Sequence, residues 1–222
     1  MTATQASTPQ YPELAPAGGW LIAERQRLLP PPPRQQGLLF RTVSLAARMF
    51  GRAQVPDLFP VFHIHSRLFW PWLFFASRLM PRGRLPPRDR EKIILRTAWN
   101  CRSRYEWGQH VDIALSLGVS DEEILGVARG PSACPDPGER ALLQACDELF
   151  REHFISADTW AELEGRYDQR LMIEIVILSG HYAMLAGFLN SAGLQLEPAV
   201  AATLDAFHSR TSRSNANDPP LV

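Results

Sequence analysis

Apolar residues recur at spacings of three and four along most of this chain, and no stretch alternates apolar with polar residues long enough to make a half-buried strand. That pattern restricts the chain to packed helices. Leu39, Val43, Ala46, Ala47 and Phe50 fall on one helical face. Helices are then expected over 88–99 and 103–117, the second closed by Gly118, with Ser120 to Glu123 in capping-box form opening the next. Further helical patterns cover 139–153, 157–167, 170–190 and 199–207. Ile173 to Leu178 is β-branched enough to suggest a strand. Its continuation through Tyr182, Leu185, Ala186 and Leu189 keeps the helical period. The expected fold class is all-α.

Prolines divide the pattern. Pro30 to Pro33 reads as extended polyproline II, Pro56, Pro60 and Pro71 cut the following stretch into short helices, and Pro86-Pro87 opens the helix after them. Three regions result: a Pro-rich N-terminal arm over 1–36, a helical domain over 37–208, and a polar, frayed tail over 209–222. A chain of 222 residues is long enough to bury roughly 70% of its unfolded surface.

Charge narrows the partners. With 23 basic and 23 acidic side chains and no net charge, the chain lacks the cationic surplus that nucleic acid or an anionic membrane requires. A small-molecule substrate and other subunits are the expected partners. The apolar run Leu68 to Ala76 is too short to cross a bilayer and is interrupted by Pro71, so it reads as core or as a surface covered by another subunit. Cys101, Cys134 and Cys146 show no CxxC spacing, and Met1 to Pro16 lacks a basic-then-apolar leader, so a cytoplasmic location is expected.

The residues with most chemical content lie on the two helices between 88 and 117. Glu106 and His110 are four apart on one face, where a carboxylate can orient an imidazole and raise its pKa. Ile113, Ala114 and Leu117 continue that stripe, and Glu91 aligns with Ile94, Leu95 and Ala98, so all three ionisable groups point inward. The same Glu–His spacing also occurs on solvated helices. His63, His65 and His181 suggest no metal site, because HxH on a helix diverges and HExxH is absent. Cys101 is either a nucleophile or a small buried side chain. Tyr182 and Asn190 line a pocket or pack the core, and Arg96 binds a carboxylate of substrate or protein.

The segment LPPRDREKIILRTAWNCRSRYEWGQHVDIALSLGVSDEEI, from Leu85 to Ile124, resembles the carboxymuconolactone decarboxylase and alkylhydroperoxidase D (AhpD-like) superfamily. The resemblance rests on the RxxE helix with Glu91, on Tyr105, Glu106, Trp107 and His110, and on the Gly-Val-Ser-x-Glu-Glu-Ile turn, and extends loosely over 40–198. It implies an AhpD-like helical fold assembling as a trimer, hexamer or dimer, with the pocket near a subunit contact. In the peroxidase branch a CxxC follows the glutamate by twelve residues, and a histidine stands four beyond the second cysteine. Here Ser103 and Glu106 occupy the cysteine positions, with His110 in register. Without the two thiols, dithiol peroxidase chemistry has neither its attacking nor its resolving group.

The resemblance therefore implies the thiol-free branch: acid–base chemistry on a small lactone or unsaturated carboxylic acid, with Glu91, Glu106 and His110 catalytic and no cofactor. Ser103, Tyr105, Trp107 and Tyr182 would bind substrate. In that scheme His110 moves the proton, Glu106 holds its tautomer and Glu91 completes the relay. Two rival readings stay open, a peroxidase-related enzyme using Cys101 and a non-catalytic helical oligomer that binds a small molecule.

Overall fold

The structure, a computed structural model, describes residues 14–32 and 55–217, with side chains as far as Ser212. The amphipathic pattern at Leu39 to Phe50 lies outside the described residues, as does part of the polyproline run. Among the described residues there are nine α-helices and no strand: α1 Leu58–His63, α2 Ser66–Leu79, α3 Pro87–Asn100, α4 Arg104–Ser116, α5 Asp121–Arg129, α6 Pro137–Glu152, α7 Ala157–Glu164, α8 Gln169–Ala192 and α9 Pro198–Asn217. The all-α reading holds.

Helix α3 is the axle, packed against α4, α5, α6 and α8. Its ten consecutive residues Asp89 to Ala98 are all buried. A helix enclosed on every side would ordinarily be apolar throughout, yet this one carries five charges, each with a partner. Tyr167 donates its hydroxyl to Asp89 at 2.9 Å, and Lys92 meets Glu123 and Glu139 at 3.0 and 2.7 Å. Arg96 forks onto both oxygens of Asp147 at 2.6 and 2.7 Å. Arg96 also donates to the carbonyls of Val127 and Ala128, which sew the end of α5 to α3 and α6. Arg96 is thus a structural cation. Gly130 has φ 98° and a Cβ there would stand 2.8 Å from the Arg96 guanidinium, so glycine is needed for both reasons.

The core divides around this axle. Ile93 and Ile94 face one cluster with Phe69, Trp72, Leu142, Ile175, Leu178 and Tyr182, while Leu95 and Ala98 face a second with Trp107, Val111, Ile124, Leu143, Leu204 and Phe207. Helix α8 is the one described helix long and apolar enough to cross a membrane by length and composition. It packs against α3, α4, α6 and α7, and buries Met172, Ile175, Leu178 and Leu185.

Two boundaries depart from the sequence reading. Pro71 does not divide the Leu68 to Ala76 run, because it sits inside the continuous helix α2. It lies on the exposed side, where the carbonyl left without a donor is open to water, while Phe69 and Trp72 anchor the other side. Helix α9 continues past Phe207 to Asn217, with Thr211 still buried and Arg210 clamped to Asp121 at 2.6 and 2.8 Å. That ion pair and burial supply what local composition did not reveal.

The arm segment 14–32 lies against the body. Arg102, at φ 54°, donates from its guanidinium to the carbonyls of Gly18 and Gly19, and its own carbonyl accepts from Leu21 N at 3.0 Å. Trp20 enters the second core cluster against Trp99 and Trp107, with ring centroids 5.4 and 6.0 Å away.

Candidate active site

Helices α3 and α4 form a hairpin closed by a three-residue turn, Cys101 to Ser103, in which Ser103 N donates to Ala98 O at 2.9 Å. Packing of the two helices across this turn brings Glu91 and His110 together. His110 Nδ1 stands 2.7 Å from Glu91 Oε2, with the carboxylate wholly buried and His110 6% exposed. Arg90 Nε donates to the other oxygen of Glu91 at 3.2 Å. With Nδ1 directed at the carboxylate, the ring's tautomer and orientation are set by Glu91.

The expected Glu106–His110 pair is therefore corrected. Sequence spacing placed both on one helical face, but the imidazole turns across the hairpin to Glu91. Both carboxyl oxygens of Glu106 are buried without a hydrogen-bond partner. Burial pushes this carboxyl well above the ordinary carboxylate range and so favours the proton-carrying acid.

Tyr182 ties the group together. Its ring stands edge-on to His110 with centroids 5.0 Å apart, and its hydroxyl donates to Met80 Sδ at 3.3 Å. Burial first, and then the carboxyls of Glu91 and Glu106, push its phenol well above its usual value. Ser103, fully buried, completes the set with an Oγ that has no partner.

Tyr105, Trp107 and Asn190 each have a place within the protein itself. The Tyr105 hydroxyl donates to Glu197 Oε1 at 2.7 Å and accepts from Leu58 N at 3.3 Å, so it fastens α1 and the start of α9 to α4. Trp107 is sealed in the second core cluster. Asn190 donates to Cys101 O at 3.1 Å, holding α8 to the turn. Among the described residues no group of three or more His, Cys, Asp or Glu is arranged to hold a metal. His65 caps α2 by accepting from Leu68 N, and His63 packs on Phe69 and Trp70. Burial, with Glu106 nearby, pushes the Cys101 thiol up to about 12, far from a reactive thiolate. Arg90 was missed by sequence reading. Its adjacency to Glu91 was the available signal.

A surface cleft of about 420 Å³ is lined by Pro86, Arg88, Asp89, Lys92, Arg166 and Tyr167, and none of Glu91, Glu106 or His110 reaches it. Its cations are each paired with an acid: Arg88 and Lys92 with Glu123, and Arg166 with Asp89 and Asp136.

Comparison with known proteins bears on the fold and on the segment that carries these residues. Residues 67–148, which contain Glu91, Ser103, Glu106 and His110, match the model of the carboxymuconolactone decarboxylase family. No curated protein matches the sequence. Among solved structures, an alkylhydroperoxidase AhpD core, an uncharacterized peroxidase-related protein from Ralstonia eutropha JMP134, superposes with a TM-score of 0.70 at 17% identity, covering 80% of this chain and 96% of its own. The debrominase Bmp8, in complex with 2,3,4-tribromopyrrole, superposes with a TM-score of 0.70 at 15% identity, covering 83% of this chain and 99% of its own. A peroxidase-related protein from Silicibacter sp. TM1040 gives 0.70 at 14%, covering 81% and 95%. Residues 67–148 thus carry the carboxymuconolactone decarboxylase family pattern, within a fold that this chain shares with AhpD-like proteins.

Proposed function

We propose that this protein is a thiol-independent acid–base enzyme, acting on a small lactone or unsaturated carboxylic acid by decarboxylation or isomerisation. The observation that carries the reading is the buried 2.7 Å contact between His110 Nδ1 and Glu91 Oε2, beside the proton-carrying Glu106. A carboxylate at Nδ1 fixes the imidazole tautomer and stabilises the imidazolium when Nε2 takes a proton. An imidazole positioned by a buried carboxylate is an arrangement that acid–base catalysis uses.

In the decarboxylating case the bond to the carboxylate breaks, carbon dioxide leaves, and the electron pair passes into a conjugated enolate. His110, carrying its proton on Nε2, delivers it to carbon. Isomerisation uses the same two transfers with a proton in place of carbon dioxide. A dithiol route is disfavoured because Ser103 and Glu106 stand at the two cysteine positions and Cys101 keeps its proton. The debrominase of the same fold holds 2,3,4-tribromopyrrole, which supports a small planar molecule as the substrate class. The protein acts as a homo-oligomer, with the exposed Phe74 and Phe75 of α2 available for contact between copies.

The test is turnover of 4-carboxymuconolactone, followed by carbon dioxide release, alongside consumption of tert-butyl hydroperoxide with dithiothreitol. Lactone turnover should fall by about 10²- to 10⁴-fold in His110→Gln and persist in Cys101→Ser. Hydroperoxide consumption that vanishes in Cys101→Ser, with no lactone turnover, would overturn the reading.

A further inference from the structure

The start of α4 contains a capping box that has not closed. Ser103, Arg104, Tyr105 and Glu106 have the S-x-x-E form in which the serine hydroxyl accepts from the fourth residue's N–H and the glutamate reaches back. Ser120 to Glu123 has the same form and closes: Ser120 Oγ accepts from Glu123 N at 3.2 Å, and Ser120 N donates to Glu123 Oε2 at 3.0 Å. At α4 the Ser103 side chain makes no cap bond. Ser103 is 0% exposed and Glu106 2%, and Ser103 Oγ, Glu106 Oε1 and Glu106 Oε2 all lack partners. Three orphaned oxygens at one helix start are costly, because each buried polar atom without a partner loses the hydrogen bonds it had in water. Local structure offered both side chains a partner, and both turn inward instead.

We propose that Ser103 and Glu106 are paired O–H donors to one oxygen of the substrate, the carbonyl oxygen that becomes an enolate. This rests on the acid–base reading above and narrows its substrate to compounds with a carbonyl conjugated to the carbon that loses carbon dioxide or a proton. As that bond breaks, its electron pair moves onto the carbonyl oxygen. The serine hydroxyl and the carboxylic O–H shorten their hydrogen bonds to it, and His110 carries the proton to or from carbon. No electrons leave the substrate. Burial keeps Glu106 in the acid form that such a donor requires. The N-terminus of the 13-residue α4, where both residues sit, adds a positive dipole end that favours the negative oxygen.

The probe is 4-nitrophenol, whose phenolate copies a flat, conjugated oxyanion and reports its ionisation by absorbance. The wild-type protein should bind it as phenolate at a pH where it is mostly protonated in solution. Ser103→Ala and Glu106→Leu should each weaken binding about 10- to 100-fold, and Glu106→Gln, which keeps an N–H donor, should lose less. Ser103→Ala and Glu106→Leu should melt at or above the wild-type temperature, since each removes an unpaired buried group. A purely structural residue would do the opposite. Failure of the wild type to bind phenolate, or equal binding by Ser103→Ala and Glu106→Leu, overturns the proposal. Phenolate binding lost in those variants without turnover of any lactone leaves the donor pair standing and removes the lactone reading instead.

Discussion

Glu106 and Asp147 are both acids sealed inside the bundle, and they differ in what they touch. Asp147 receives two bonds from Arg96 and a third from Asn100 at 2.8 Å, whereas Glu106 receives none. Removing one partner of a buried ion pair strands the other charge. Asp147→Ala should therefore cost about 3–5 kcal/mol, measured by chemical denaturation. A loss under about 1 kcal/mol would show that the pair is replaceable by water. The inward direction of Glu91, Glu106 and His110 was legible from their alignment with apolar neighbours. Which carboxylate the imidazole chooses was not, because spacing along one helix carries no information about the register across a hairpin. Tyr105 and Trp107 show the same limit: burial was readable, but the hydroxyl's commitment to Glu197 depends on a residue 92 positions away.

Helix starts were the most legible elements, since their signals are local. Ser120, Asp136, Ser156 and Asp168 each accept a hydrogen bond from the first turn of the helix they precede. Ser120→Ala should lower stability by about 1 kcal/mol in thermal or urea unfolding. Ser103→Ala, at an identical motif, should cost nothing. Equal losses at the two sites would mean that Ser103 caps α4 in solution. Helix ends and interruptions were less legible. Pro71 is tolerated because one side of α2 faces water, and α9 persists because Asp121 on another helix holds Arg210. Both are facts of packing that composition does not encode.

Over the whole molecule, pH acts through His181 and Glu123 in one direction and through Glu106, whose carboxyl pKa is raised by burial, in the other. Burial among Trp72, Phe75 and Tyr182 lowers His181 from 6.5 to about 4. The unfolded chain thus takes up this proton first. The His181 contribution to stability is complete above about 6.5 and falls as the pH drops toward 4. Glu123, held down to about 2 against burial by Ser120 and Lys92, starts to lose its share only below 4.5. Between pH 7 and 5 the unfolding free energy should rise as the pH falls in His181→Phe, where Glu106 acts unopposed, and change less in wild type; parallel curves would exclude His181 as the cause. The proposed homo-oligomer has its own test: Phe74, 65% exposed, when changed to Glu should give a lighter species by light scattering, and an unchanged mass would exclude this face. The all-helical fold was legible from periodicity. Its division into two cores was not, since α3 appears in sequence as a charged helix whose partners come from five other segments.

The three indoles of Trp20, Trp99 and Trp107, with centroids 5.0 to 6.0 Å apart, act as one coupled chromophore rather than three separate ones. Two belong to the α3–α4 hairpin and the third to the arm. Attachment of the arm therefore has its own optical signature, an exciton couplet in circular dichroism. Trp20→Leu should reduce that couplet to the part carried by Trp99 and Trp107 while leaving the helical signal intact. In wild type, any ligand that shifts the turn from Cys101 to Ser103 becomes visible from the far end of the arm, without a label.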